Sequence, residues 1–249
     1  MKKPYKKEFY TSEAPEILLR SARGVVPLVM SLISPKRVVD IGCGSGAWLY
    51  AFREQGVEEI LGVEGDYVDP SWLLIPKECV RAMDLSKPFR LQQTFDLAVC
   101  LEVAEHLPKR CAEEFVESLV SLAPIILFSA AVPLQGGVNH VNEQWPEYWA
   151  EIFIRRKYRQ LDLLRGRIWK NLAIKSFYRQ NIFLYVREDL IAGKREFLEA
   201  PKDANDLMLV EPYILAGQLK LGSILRNFPK AVWEFLEQLF AGLKRSVRT

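Results

Sequence analysis

The stretch Val38-Val39-Asp40-Ile41-Gly42-Cys43-Gly44-Ser45-Gly46 constrains this chain more than any other. A β-branched run ends in three alternating glycines and passes directly into a helical pattern at residues 47–55. Glycine adopts backbone angles that a side chain would forbid, so such a turn lets backbone approach a ligand closely. The helix beyond it offers unpaired N–H groups in its first turn. In an open parallel sheet, ligands sit outside the carboxyl ends of the strands, near the point where strand order reverses. The loop is therefore read as a nucleotide-type site on an α/β sheet.

The remaining pattern fits such a sheet. Residues 12–33 read as a leading helix, with Ser12 as N-cap and Pro15 and Glu16 in the first turn. Strands are expected at residues 37–41, 59–64, 78–82, 95–101, 124–129 and 181–186, and helices at 47–55, 109–122 and 147–158. The run at 95–101 alternates little, as a strand buried on both faces does. Strand–helix alternation of this kind builds right-handed βαβ units around a parallel sheet. From about residue 188 the alternation stops. Residues 229–244 carry Val232, Phe235, Leu236, Leu239, Phe240 and Leu243 on one helical face. That face predicts packing on its own domain or on a twin subunit, hence a homodimer contact. The basic end Lys244-Arg245-Ser246-Val247-Arg248 permits a membrane-surface helix instead. Three segments result: 1–34, a basic start and leading helix; 35–187, the core, with an acceptor-side insert near 133–180; and 188–249, a C-terminal helical extension.

Composition narrows the class further. The 249 residues are 49% hydrophobic and 26% charged, which excludes whole-chain disorder, collagen and disulfide scaffolds. A net charge of +3 is too mild for an evident nucleic-acid binder. Cys43, Cys79, Cys100 and Cys111 form no CxxC pair, so neither a disulfide framework nor a zinc knuckle is expected, and a reducing cytoplasm fits. No apolar core follows the basic start at residues 1–7, so no signal peptide is expected. The apolar stretch 24–33 is too short to span a membrane, and 207–225 is broken by Glu211, Pro212 and Lys220.

At the glycine loop two readings compete. Gly42, Gly44 and Ala47 satisfy the dinucleotide pattern G-x-G-x-x-G/A. Asp40 and Gly46 extend it to D-x-G-x-G-x-G, which resembles motif I of the class I S-adenosylmethionine (SAM)-dependent methyltransferases. A pyrophosphate is repelled by a nearby carboxylate, whereas an α-ammonium and a sulfonium are attracted by one. The resemblance covers about residues 36–130 in register, and it implies a Rossmann-like, doubly wound, seven-stranded, mostly parallel sheet. It also implies SAM as cofactor. Cofactor-binding residues would be Asp40, Gly42, Cys43, Gly44 and Gly46, Glu64 with Gly65 at the ribose hydroxyls, and Asp84 with Leu85 at the adenine. Leu101 and Glu102, after the fourth strand, complete that set. Asp96, at the start of that strand, is expected to be structural.

The chain holds only two histidines, His106 and His140, and each follows a strand on the side where a site should open. Glu102-Val103-Ala104-Glu105-His106 with a later histidine resembles the metal site of the small-RNA 2′-O-methyltransferases and the ubiquinone-pathway O-methyltransferases. That resemblance implies one divalent ion, Mg, Mn, Fe or Zn, on Glu102, Glu105, His106 and His140; a mixed carboxylate–imidazole set suits such ions. E-H-L after the fourth strand also occurs in metal-free members of the fold, where these residues brace the loop. Without a metal, an imidazole is the natural base for a hydroxyl acceptor; His140 is the first choice and His106 the second.

Residues 136–149 resemble a block in bacterial methyltransferases of glycan and secondary-metabolite clusters, which also carry a Tyr-x-Gln-Asn stretch, here Tyr178-Arg179-Gln180-Asn181. This implies Asn142, Gln144, Trp145, Trp149, Tyr178 and Asn181 as acceptor-side residues, with core packing the alternative for the two tryptophans. The function expected is methylation of a hydroxyl on a small molecule or sugar. The alternatives are N- or carboxyl-methylation on the same fold, or a nicotinamide-dependent oxidoreductase. RNA as acceptor is disfavoured by the mild charge and by the lack of a basic stripe interleaved with aromatics.

Overall fold

The computed structural model describes residues 14–200. Seven strands form one sheet in the order β3-β2-β1-β4-β5-β7-β6. They are β1 (Arg37–Ile41), β2 (Glu59–Glu64), β3 (Val80–Ala82), β4 (Leu97–Leu101), β5 (Ile125–Ser129), β6 (Tyr158–Leu161) and β7 (Phe183–Arg187). β7 runs antiparallel to its neighbours β5 and β6, and the other pairs are parallel. The mostly parallel, Rossmann-like sheet with a leading helix is the architecture the sequence predicts.

Two-residue alternation along the strands divides the core into two layers. Val38, Leu97, Leu127 and Leu184 pack with Val25 and Val29 of α1 (Ala14–Ile33) and Leu49 and Phe52 of α2 (Ala47–Glu54). Val39, Ala98, Ile126 and Tyr185 pack with Phe115 and Leu119 of α3 (Ala112–Val120) and Trp149 and Phe153 of α4 (Pro146–Ile154). Each fully buried large apolar side chain contributes about 1.5–3 kcal/mol relative to exposure. β4 and β5 are buried at every position, which explains why all their residues but Ser129 are apolar.

Strand order reverses between β1 and β4, so a crevice opens at their carboxyl ends. The regular alternation fails on one side of it. Only short 3-10 turns, Pro70–Trp72 and Lys77–Cys79, interrupt the β2–β3 connection, and the β3–β4 connection has no α-helix. Both connections instead contribute lining to the crevice, at residues 65–67 and 83–86. Phe89 pins the second of them into the core, its N–H donating to Ser118 Oγ at 3.1 Å.

Several boundaries differ from expectation; the strand expected at 95–101, for example, begins at Leu97. The helix expected at 147–158 ends at Ile154, because Lys157 turns left-handed (φ 61°) and Tyr158 starts β6. Tyr158 then donates from its hydroxyl to Ala123 O at 2.9 Å. The helix expected at 109–122 opens as a 3-10 turn over Lys109–Cys111 before α3 begins. The third strand starts at Val80 rather than residue 78. α5 (Arg165–Ile168) and α6 (Ser176–Asn181) precede β7, so Asn181 ends a helix and does not begin a strand. Arg165, fully buried, ties these pieces together by bonds to Asp162 and to the Gln180 carbonyl at 3.0 Å. Asp96 has the expected structural role, accepting the Lys36 and Arg37 N–H groups at 2.8 and 2.9 Å.

The first part of the C-terminal segment is α7 (Glu188–Ile191) and α8 (Arg195–Leu198), whose Ile191 and Phe197 are buried in the layer that holds α1. Ser12 and the amphipathic stretch 229–244, with its expected dimer contact, lie outside the described residues. Among the described residues no helix is long and apolar enough to cross a membrane.

Candidate functional site

A cleft of about 1560 Å³ lies over the glycine loop. A pocket for one drug-sized ligand spans roughly 300–1,000 Å³, so this one has room for two molecules side by side. Its walls come from the ends of β1, β2 and β4, from Ile17 and Leu18 of α1, and from the loop between β5 and α4.

Three glycines of the loop have positive φ for different reasons. A Cβ on Gly42 (φ 80°) would strike Val103 at 2.4 Å, and one on Gly46 (φ 77°) would strike Ile75 at 2.6 Å. A Cβ on Gly44 (φ 54°) would meet nothing within 4 Å. Gly42 and Gly46 are thus packed against the protein, and Gly44 borders open cleft. Gly46 also caps α2, which carries no side-chain cap. Cys43 lies beneath, with its thiol pushed up by burial, so it lines the cleft as an unreactive small side chain.

Acids ring the loop. Asp40 is buried at the end of β1, and desolvation, then the nearby Glu64, raises its carboxyl well above the usual range. Such a group favours a cationic neighbour, which would restore its charged form. Glu64, also buried, is held by three donors. Gly44 N–H reaches Oε2 at 2.8 Å, and Gly65 N–H and the Tyr67 hydroxyl reach Oε1 at 2.8 and 2.7 Å. Gly65 is needed there because a Cβ would fall 2.0 Å from the Tyr67 ring. Asp84 and Leu85 line the far end with Met83. The Asp84 carboxyl accepts from Ser86 and Lys87, which hold it below its ordinary range. Leu101 lines the floor between the two halves.

Across the cleft, Glu102 directly follows β4 in a left-handed conformation (φ 56°), a strained setting for a glutamate. Its carboxylate accepts from Gln135 Nε2 at 2.9 Å and Asn181 Nδ2 at 3.3 Å. Asn181 also donates to Gln135 Oε1 at 2.8 Å, which closes a three-residue network. Burial raises the Glu102 carboxyl, and the amide donors oppose the rise. Glu105 is fully buried, and desolvation and Glu102 push it far higher. The Ala131 N–H and its own N–H lie close, but neither Glu105 oxygen meets a donor in hydrogen-bond geometry.

Glu105, His106 and His140 each offer a ligand atom, and these atoms lie within 4.8 Å of one another. Three of the four residues expected to bind a metal therefore converge. Glu102 does not join them, because Gln135 and Asn181 hold its carboxylate. The two imidazoles meet edge to face at 4.9 Å. Burial and then His140 lower His106 to about 4, which leaves it neutral at ordinary pH. His140 pairs through Nδ1 with Glu143 Oε1 at 2.9 Å.

Of the acceptor-side residues expected from sequence, only Tyr178 lines the cleft, with its ring 5.0 Å from Trp48. Asn181 stands behind, bracing Glu102. Asn142 and Gln144 bond each other at 3.0 Å and do not line the cleft, because the Val141 and Asn142 N–H groups fasten that strand of loop to the Glu105 carbonyl. Trp149 is core, packed on Phe128 at 5.4 Å, and Trp145 points to solvent at 40% exposure. Sequence reasoning missed Gln135, Glu143, Trp48 and Tyr67. The first two lie within or beside the glycine-hinged block it singled out, but polar type alone did not distinguish them from Asn142 and Gln144.

A family model described as a methyltransferase domain matches residues 14–170. Among solved structures, the chain is similar to the methyltransferase domain of bacterial CtHen1, with a TM-score of 0.51, 20% identity, and coverage of 68% of this chain and 99% of that one. It is also similar to the sugar N-methyltransferase KedS8 from Streptoalloteichus, with a TM-score of 0.55, 14% identity, and coverage of 74% and 93%. A third is the magnesium protoporphyrin IX methyltransferase from Synechocystis with bound S-adenosylhomocysteine, at a TM-score of 0.50, 18% identity, and coverage of 68% and 84%. Among curated proteins no significant match is found.

Proposed function

This chain belongs to the SAM-dependent methyltransferases of class I, and from that premise we propose that it methylates a hydroxyl of a small molecule or sugar, with His140 as the base. The dinucleotide reading of the glycine loop falls away with the family match. SAM supplies a methyl group on a good leaving group, so the protein's tasks are to bind, align and deprotonate. Open space beside Gly44, Asp40 below it and Glu64 on the neighbouring strand suit the methionine and ribose parts of SAM. Asp84 and Leu85 at the far end suit the adenine.

The observation that carries the O-methylation reading is the His140–Glu143 pair at 2.9 Å on the acceptor side of the cleft. A carboxylate can only accept, so Nδ1 donates, and in the neutral ring Nε2 then keeps its lone pair for a hydroxyl proton. The test is the linkage of the methyl group transferred from SAM across a panel of phenols, polyols and sugars. An alkali-stable methyl ether supports the reading. A methylamine or an alkali-labile ester replaces it with the N- or carboxyl-methylation alternative.

A second reading has its own observation. The convergence of Glu105, His106 and His140, with Glu105 buried and poorly satisfied, fits one divalent ion, which would also lower an acceptor hydroxyl pKa. Base and ligand roles would compete for His140 Nε2, since Nδ1 is engaged by Glu143. Excess EDTA therefore decides between them. Full activity is expected if His140 is the base, and loss restored by added Mn²⁺ or Mg²⁺ is expected if the ion is real.

Glu64→Ala is expected to weaken SAM binding by roughly 1–3 kcal/mol through lost charge-assisted bonds. The same change removes the acceptor for the Gly44 and Gly65 N–H groups, so the loop loosens as well. Calorimetric titration with SAM checks this, and an unchanged affinity would displace the ribose from Glu64.

A further inference from the structure

We infer that Glu143 is the positioning residue of the acceptor side, closing the β5–α4 loop on itself and fixing the tautomer of His140. The inference rests on the reading of His140 as the base. One carboxylate gathers three partners that are separated along the loop. Oε2 accepts the Leu134 N–H at 2.8 Å. Oε1 accepts the Gly136 N–H at 2.8 Å and meets His140 Nδ1 at 2.9 Å.

The loop needs such a fastening. Leu134 (φ 72°), Gly136 (φ 71°) and Asn139 (φ 60°) are all left-handed, a conformation that crowds the Cβ of Leu134 in particular. Val138 and Val141 are 64% and 62% exposed, so apolar burial does not hold this turn. Its order comes from polar bonds, and Glu143 receives those at its start and at its tip. Gln135 bonds on the other side, through Nε2 to Glu102, and so leaves the Glu143 oxygens to the loop.

The same carboxylate decides which imidazole nitrogen can work. Two of its lone pairs already accept backbone N–H groups, so towards Nδ1 it acts as an acceptor and the ring proton sits on Nδ1. The ring is bounded by His106 on one side and by Gly137 on another. A Cβ on Gly137 would lie 2.2 Å from His140 Nε2, so the missing side chain there leaves room for the ring in this position. Glu143 and Gly137 thus act through His140 and need not touch an acceptor.

The experiment is nitrogen-15 NMR of uniformly labelled full-length protein saturated with S-adenosylhomocysteine. The chain has two histidines, and the signals lost in His140→Gln assign the pair. Expected in the native protein are the Nδ1-protonated tautomer of His140 wherever the ring is neutral, and slowed amide exchange at Leu134 and Gly136. In Glu143→Ala, the proton moves to the Nε2 position that free imidazole prefers, and both amides exchange at least tenfold faster. S-adenosylhomocysteine affinity stays within about twofold, because the glycine loop is untouched. An Nε2-protonated His140 in the native protein overturns the inference, as does an unchanged tautomer in the variant. If Glu143→Ala fails to fold, the native tautomer alone decides. The outcome is separable from the base reading. A rate indifferent to His140 would remove the base while the Nδ1 proton and protected amides still stood.

Discussion

Gly44→Arg is expected to abolish measurable SAM binding while leaving the protein folded. The cause is local. A Cβ at Gly44 meets nothing within 4 Å, so a long side chain there enters the cleft beside Asp40 and Glu64 without displacing packed atoms. Left-handed φ adds a strain of about 1–3 kcal/mol, small against the stability of a domain this size. A loss of affinity exceeding ~100-fold corresponds to about 2.7 kcal/mol, which steric filling of the methionine position readily supplies. Gly42→Ala and Gly46→Ala would behave differently, since each pushes a Cβ into Val103 or Ile75 and so costs stability first. Titration calorimetry with SAM, with a melting curve on the same sample, separates the two behaviours. Undiminished affinity in folded Gly44→Arg would show that the cofactor does not lie along this loop.

His140→Gln is expected to lower kcat for methyl transfer to a hydroxyl by about 10²–10⁴, the range that a positioned general base contributes. Glutamine retains size and polarity but cannot take a proton at Nε2. SAM affinity should change little, because His140 sits on the β5–α4 loop and the glycine loop and Glu64 lie on the other side of the cleft. The pattern to look for is a fall in kcat with unaltered SAM binding. A carboxylate, or an amine bound as its free base, already presents a lone pair, so there the same substitution would barely slow the reaction. A rate within a few fold of native on a proven hydroxyl acceptor would remove His140 from the chemistry.

The half of the cleft around the glycine loop was legible because it is local. Asp40, Gly42, Gly44, Gly65, Glu64, Asp84 and Leu85 all line the cleft, and each ends or follows a strand whose apolar run marks it. Strand ends in a parallel sheet fall on one edge whatever the details of packing, so their sequence position nearly fixes their place in space. The half formed by the later loops was not legible in the same way. Trp149 was open between a substrate-framing aromatic and core, and it packs as core with Phe153 of α4 and with Phe128. Asn142 and Glu143 are adjacent in sequence. One is tied back to the Glu105 carbonyl, and the other reaches across the loop to His140.

From its sequence alone the chain had to form a parallel sheet with a glycine turn at its switch point, because periodicity and glycine freedom act over a few residues. Which side chains of the later loops enter the cleft was settled only by the fold. Gln135 meets Asn181 across 46 positions and Glu102 across 33. Contacts of that range depend on how helices and strands pack, and packing is a property of the whole core that no single stretch encodes.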